Sequence, residues 1–221
     1  MLLQRCINKN ALIALLLGML LLTGCGGSGA VKSSNGSRQS AGPDAAETDG
    51  ESARIVPAAA LTLFEQAAAS MAAGDAVDAE LRFKEFLLQY PEYPGAHVNL
   101  AIIHVSNGND AAARASIEAA LALEPDHPAA LNQLGMLLRR NGKFIEAEAA
   151  YMKAVTVSPD YALAHYNMGV LNELYLQRLD MALQNFEAYQ SLAGEDKQVA
   201  KWIADLTRRV AAHQRTANVA D

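Results

Sequence analysis

The sequence predicts an all-α chain built as a stack of equivalent helix pairs. Three observations carry that expectation. Pro57, Pro91, Pro125 and Pro159 stand one fixed period of 34 residues apart. Gly74, Gly108 and Gly142 keep the same step, as do Ala79, Ala113 and Ala147, and Phe83, Ile117 and Tyr151. Inside a unit the apolar residues recur at helical spacing, as in Leu131, Leu134 and Leu138. A domain folded around one unique core has no reason to repeat itself. A stack does, because each pair buries its apolar face only against its neighbours.

The first 24 residues read as a leader, not as part of the stack. Arg5 and Lys9 give a positive start, and Ala11 to Leu22 is an apolar run with a single Gly18. A helix of that length is about 18 Å, short of the roughly 30 Å hydrocarbon core of a bilayer. It suits the apolar segment of a signal peptide. The run closes on Leu22-Thr23-Gly24-Cys25, which resembles the lipobox of bacterial lipoproteins. The resemblance implies transfer of a diacylglyceryl group to the Cys25 thiol, cleavage before Cys25, and three acyl chains, palmitate among them, when fully processed. It also implies stable membrane anchoring, since two acyl chains already hold a protein firmly. Gly26 follows, where an aspartate in enteric bacteria signals retention in the inner membrane. By that family rule the expected location is the periplasmic face of the outer membrane. Cys6 would leave with the leader, so one lipidated cysteine remains and no disulfide is expected.

Residues 25–56 then read as the lipidated cysteine and a disordered tether. Gly26-Gly27-Ser28-Gly29 and Ser33-Ser34-Asn35-Gly36-Ser37 offer too little apolar area to offset the entropy of ordering. From 57 to 194 the period governs, in units 60–93, 94–127, 128–161 and 162–194. In the third unit Leu131, Leu134, Gly135 and Leu138 form a stripe. Asn141-Gly142 breaks the helix, with Gly142 able to adopt the left-handed conformation of a tight helix end. Ala147, Tyr151 and Ala154 follow on a second helix, which Ser158-Pro159 stops. The fourth unit runs one residue long through Leu176-Gln177-Arg178, without a glycine turn. Its first helix is expected to extend by part of a turn. A further amphipathic helix over 195–213, with Val199, Ile203, Leu206 and Val210 on one stripe, reads as a cap, and 214–221 as a flexible tail.

Small Gly135 and Ala147 beside large Tyr151, with Gly142-Lys143-Phe144 and Glu146-Ala147, give the third unit the look of a tetratricopeptide (TPR) repeat. The resemblance covers about 155 residues. It implies an all-α, right-handed TPR superhelical solenoid of about four helix pairs plus a C-terminal capping helix.

The chemistry of catalysis is missing from this pattern. There is no nucleophile elbow and no phosphate-binding glycine loop in a strand-and-helix context. No residues remain to build a separate catalytic domain, so neither an enzyme, a cofactor nor a small-molecule substrate is expected. His97 and His104 lie seven apart on one helix, but no acidic or cysteine partner shares the spacing. They read as packing histidines, as does His165 at the position equivalent to His97, and no metal is expected. The chain has 18 basic and 24 acidic residues, and removal of the leader takes Arg5 and Lys9 and no acid. That balance does not favour phosphate backbones, so nucleic acid is not an expected partner.

In TPR superhelices the first helix of each pair lines a concave groove, at repeat positions two, five, nine and twelve. By that resemblance the candidate partner-binding residues are Phe64 and Met71, then Val98, Ile102 and Val105, then Asn132, Met136 and Arg139, then Tyr166, Val170 and Glu173. The lysine set of a carboxylate clamp is absent. Two readings of this face stay open: occupation by the chain's own tether or tight coiling, and a groove for a helix or extended segment of another envelope protein. Trp202 reads as core of the cap. Lipobox, tether and repeats together are similar to envelope-assembly TPR lipoproteins, of the TonB-associated or gliding-motility type or the type IV pilus pilotin type. They imply a membrane-anchored periplasmic adaptor. The alternative is a structural scaffold lipoprotein that self-associates or organises cell-wall enzymes.

Overall fold

A computed structural model describes residues 56–220, with side chains from 56 to 215. The leader, Cys25 and residues 26–55 lie outside the described residues. The chain divides into two compact units, 1–62 and 63–221. The described part of the first is the start of one helix. The second holds the remainder of that helix and all the later ones.

Nine α-helices are present among the described residues: α1 Ala58–Ala72, α2 Ala76–Gln89, α3 Pro94–Ser106, α4 Asp110–Leu123, α5 Pro128–Arg140, α6 Phe144–Val157, α7 Ala162–Leu171, α8 Leu179–Ala193 and α9 Lys197–Ala220. They form helix pairs, and each pair packs on the next through α2 on α3, α4 on α5, α6 on α7 and α8 on α9. The first helices also stack directly, α3 on α5 and α5 on α7.

What sets the spacing within a pair is a small residue facing a large one. The first helices supply Ala67, Ala101, Gly135 and Gly169, and the second helices Phe83, Ile117, Tyr151 and Phe186, all buried. A β-carbon on Gly135 would lie 2.5 Å from Cε1 of Tyr151, and one on Gly169 would lie 2.7 Å from Phe186. Burying one such ring stabilises the fold by about 1.5–3 kcal/mol. The pairs are then joined by residues that serve two clusters at once. Leu134 packs against both the Tyr151 and the Ile117 clusters, and Leu121 touches three.

The turns repeat as faithfully as the cores. In the first three pairs the glycine takes a left-handed φ of 83°, 75° and 74°. The residue after it donates its N–H five residues back: Asp75 to Ser70 at 3.0 Å, Asn109 to His104 at 2.9 Å, Lys143 to Leu138 at 2.9 Å. This Schellman closure satisfies carbonyls the helix leaves orphaned. Asp75 and Asn109 then cap the next helix, accepting from the N–H groups of Asp78 and Ala112 at 3.0 and 3.1 Å.

The fourth pair resolves its extra residue differently from a simple helical extension. Asn172–Leu176 forms a π-helical turn. Gln177 takes the left-handed role of the missing glycine, at φ 57°. The closing bond widens accordingly, Arg178 N–H to Asn172 O at 2.9 Å. A single inserted residue is absorbed in this way without loss of register, because Ala182 and Phe186 still reach the core. The capping helix also differs from expectation. It does not stop at 213 but continues through the predicted tail to Ala220, since no glycine or proline intervenes to end it.

Substituting Gly135 by Ala forces the Tyr151 ring, the far wall of a filled core, to move. Overpacking of this kind costs about 1–3 kcal/mol. The Gly135→Ala chain is expected to show a lower melting temperature by circular dichroism, and a melt matching wild type would contradict the close approach.

Candidate functional site

The candidate groove is the face made by the first helices, and the structure separates its eleven expected residues into three groups. Met71, Ile102, Val105, Met136 and Arg139 are half-buried, the state expected of groove-lining side chains. They come from positions nine and twelve of the repeats.

Position five does not line a groove as expected. Val98 is buried against Ala120 and Ala130, and Asn132 is only 1% exposed. The reason is the stacking of first helices: Val98 is covered by Ala130, at position three of the next, and Asn132 by a residue at position six of the next. Asn167, at that position six, donates from Nδ2 to Oδ1 of Asn132 at 2.9 Å. An amide so buried needs such a partner, since leaving it unpaired costs about 1–3 kcal/mol. Phe64 also belongs to structure. Its ring makes edge contacts with Phe83 at 5.5 Å and Phe86 at 5.6 Å, in a cluster that extends to Tyr90 and Tyr93.

The third group, Tyr166, Val170 and Glu173, is covered by the chain's own cap. Tyr166 and Val170 pack in the cluster that holds Trp202 and Ile203. The Trp202 ring lies 6.1 Å from Tyr166 and 5.5 Å from Phe186. Glu173 accepts from Arg209 Nη1 at 2.8 Å. The far end of the face is thus occupied by α9. Trp202 and Arg209 are the residues sequence reasoning did not place there; Trp202, expected in the core of the cap, is only partly buried and packs against the Phe186 cluster. The equivalence shows only in the stack: Trp202 stands at position six of α9 and covers Tyr166, as Asn167 at position six of α7 covers Asn132.

Arg139 is set apart by its surroundings. Its guanidinium lies 6.0 Å from the Tyr175 ring, which stacks on Phe144 at 4.7 Å. Below it, burial pushes the Tyr151 hydroxyl up to about 12, with Arg139 opposing the rise. Tyr175 reaches this place because the π-helical turn carries it there, which no helical wheel would show.

The histidines fall into place as packing groups. His165 bonds the Pro159 carbonyl through Nε2 at 3.0 Å and faces Asn185. His97, two repeats earlier, engages the Pro91 carbonyl. His127 caps α5, accepting from Ala130 N–H at 3.2 Å. Among the described residues no group of His, Cys, Asp and Glu could hold a metal ion, and no helix is long and apolar enough to cross a membrane.

Residues 70–137 and residues 128–161 match two family models, each described as a tetratricopeptide repeat. Residues 70–161 are thus tetratricopeptide repeats, and the described residues are all-α, with TPR-like helix pairs stacked as a solenoid. Similar solved structures include PilF of Pseudomonas aeruginosa, with 22% identity over 70% of each chain and a TM-score of 0.62. Another is TTC0263, a thermophilic TPR protein of Thermus thermophilus, with 20% identity over 67% of this chain and 81% of that one, at 0.59. The first TPR of Spaghetti (RPAP3), bound to the HSP90 peptide SRMEEVD, has 18% identity over 53% and 95%, at 0.50. At these identities the likeness is one of fold. None of the curated proteins matches the sequence. TPR repeats mediate protein–protein interaction, and that coarse function is the chain's own.

One titration follows from the packing histidines. Burial lowers the His97 pKa below its ordinary 6.5, against the opposing bond to the Pro91 carbonyl. The folded state therefore prefers neutral His97, while the unfolded chain binds a proton below 6.5. Its contribution is present above that value and is lost as pH falls through the folded pKa. The melting temperature of wild type is expected to drop between neutral pH and pH about 5 by more than that of His97→Gln. Equal drops in both would rule out this source.

Proposed function

We propose that the chain is a lipid-anchored adaptor of the bacterial envelope, facing the periplasm from the outer membrane. On this reading its repeats hold an apolar segment of another envelope protein during assembly or operation of an envelope machine. The observation that carries the binding half is the run Met71, Ile102, Val105 and Met136. These side chains are half-buried on the first-helix face, and the stacking of the helices does not fully consume them. A helix or extended segment laid across them would bury their remaining area, with Arg139 beside Tyr175 as the polar end of the row. The part of the face beyond Tyr166 is unsuited, since α9 already fills it. The repeats act as a scaffold for partners and not as a catalyst. The anchoring half rests on Leu22-Thr23-Gly24-Cys25 and the leader before it. Candidate machines are TonB-like, motility, pilus and secretion systems.

The binding half is tested by Ile102→Glu and Met136→Glu. A carboxylate at either place must be desolvated against an apolar partner, so capture of that partner from envelope extract is expected to be lost while helicity is kept. Lys153→Glu, an exposed change elsewhere, is expected to leave capture intact. Folded groove variants that retain every partner would move recognition to another surface. The anchoring half is tested by Cys25→Ser. Incorporation of labelled palmitate is expected to disappear, and label persisting in that variant would refute the lipobox reading.

A further inference from the structure

The exposed faces of the second helices differ from repeat to repeat in a way packing does not require. On α2, Val77, Leu81 and Leu88 are 80%, 64% and 85% exposed. They lie at spacings of four and seven residues, so they form one stripe along the helix. The equivalent residues on α4 are Ala111, Ala115 and Ala122, on α6 Ile145, Ala149 and Thr156, and on α8 Asp180, Gln184 and Ser191. Structural positions in a repeat protein keep their character from unit to unit. These do not: bulk sits on the first repeat, mostly small residues on the middle two and polar ones on the last. Single exposed aliphatics need no explanation, but an aligned row of three on a solvent face does.

The middle repeats hold a matching hollow. A shallow, mostly apolar cavity of about 550 Å³ is lined by Leu121 of α4, by Leu131, Leu134 and Leu138 of α5, and by Glu146, Ala149 and Lys153 of α6. The Lys153 ammonium is held by Asp126 and by the Pro125 carbonyl, each at 2.9 Å, so Glu146 is the charge of the hollow that an incoming cation would meet. Lys84 falls on the α2 stripe between Leu81 and Leu88, paired within its own helix to Glu80 at 2.6 Å and still 57% exposed. Its equivalents are Glu118, Met152 and Glu187, so a cation there is particular to α2. Glu146 stands at the rim of the hollow. The chain cannot fill its own hollow with α2, which packs on α3.

We propose that the α2 stripe of one copy seats in the α4–α6 hollow of a second copy, with Lys84 facing Glu146 of that copy. The contact is ridge into groove, and it is heterologous: the ridge and the hollow are different surfaces, so each copy still offers one of each after pairing. Such a contact builds rings or open rows, not closed two-fold dimers. It does not depend on what occupies the first-helix face.

The test uses the full chain in bacterial cells, with a photo-crosslinking amino acid at position 88. Irradiation is expected to yield a covalent homodimer in which residue 88 is joined to a peptide within residues 121–153 of the other copy. Ala149→Glu, which puts a charge into the hollow, is expected to abolish the product. Lys84→Glu is expected to lose most of it, and adding Glu146→Lys to the same chain is expected to restore it. The restoration also shows that the single variant was folded. The proposal is overturned by absence of a dimer, by linkage to α2 of the other copy or to a different protein, or by an Ala149→Glu chain that cross-links as wild type.

Discussion

Where Gly135 meets Tyr151 and Gly169 meets Phe186, an aromatic ring occupies the space a β-carbon would need. That exclusion fixes how closely the two helices of a pair can lie. The other pairs keep the same division of labour, with Ala67 and Ala101 on one side and Phe83 and Ile117 on the other. Once the spacing inside a pair is set, the second helix presents a regular surface to the next pair. Leu121 and Leu134 can then serve adjacent clusters together. The stack therefore inherits its order from one contact repeated, and an error at one pair is passed to its neighbours.

The turn is the second constraint, and the fourth repeat shows how much freedom it leaves. A glycine and a six-to-one hydrogen bond close the first three pairs. Without the glycine and with one residue more, the chain spends the surplus on a π-helical turn and places Gln177 in a left-handed conformation that disfavours any side chain by about 1–2 kcal/mol. The core register survives, but the surface changes. Tyr175 stacks on Phe144 and meets Arg139, so the groove acquires an aromatic–cation pair that the regular repeats lack.

Stacking competes with binding for the same side chains. First helices that pack on one another consume position five, and they leave positions nine and twelve partly open. The Asn132–Asn167 bond illustrates the outcome: two polar residues that would suit a binding face are spent on joining helices. At the far end α9 behaves as one more first helix, and Trp202 and Arg209 cover Tyr166 and Glu173 as the next repeat would. Its inter-repeat ion pair resembles that of Arg140 with Asp110, at 3.2 Å. Exposed pairs of this kind add little energy individually, so the cap is held mainly by the Phe186–Trp202 cluster.

The helix pairs, their turns and the residues of their cores were legible in the sequence, because each is a local rule met again every 34 residues. Pro159 stops a helix and Gly142 turns one wherever the chain lies in space. The division of the groove was not legible. Whether Val98 faces a partner or Ala130 depends on how near α5 comes to α3, and that distance is set by the summed packing of residues far apart in sequence. The same holds for Arg139 and Tyr175, which meet because a π-helical turn rotates one toward the other. Local chemistry determined the elements. Which of their side chains remained available for a partner was decided only when neighbouring helices had taken what they needed to stack.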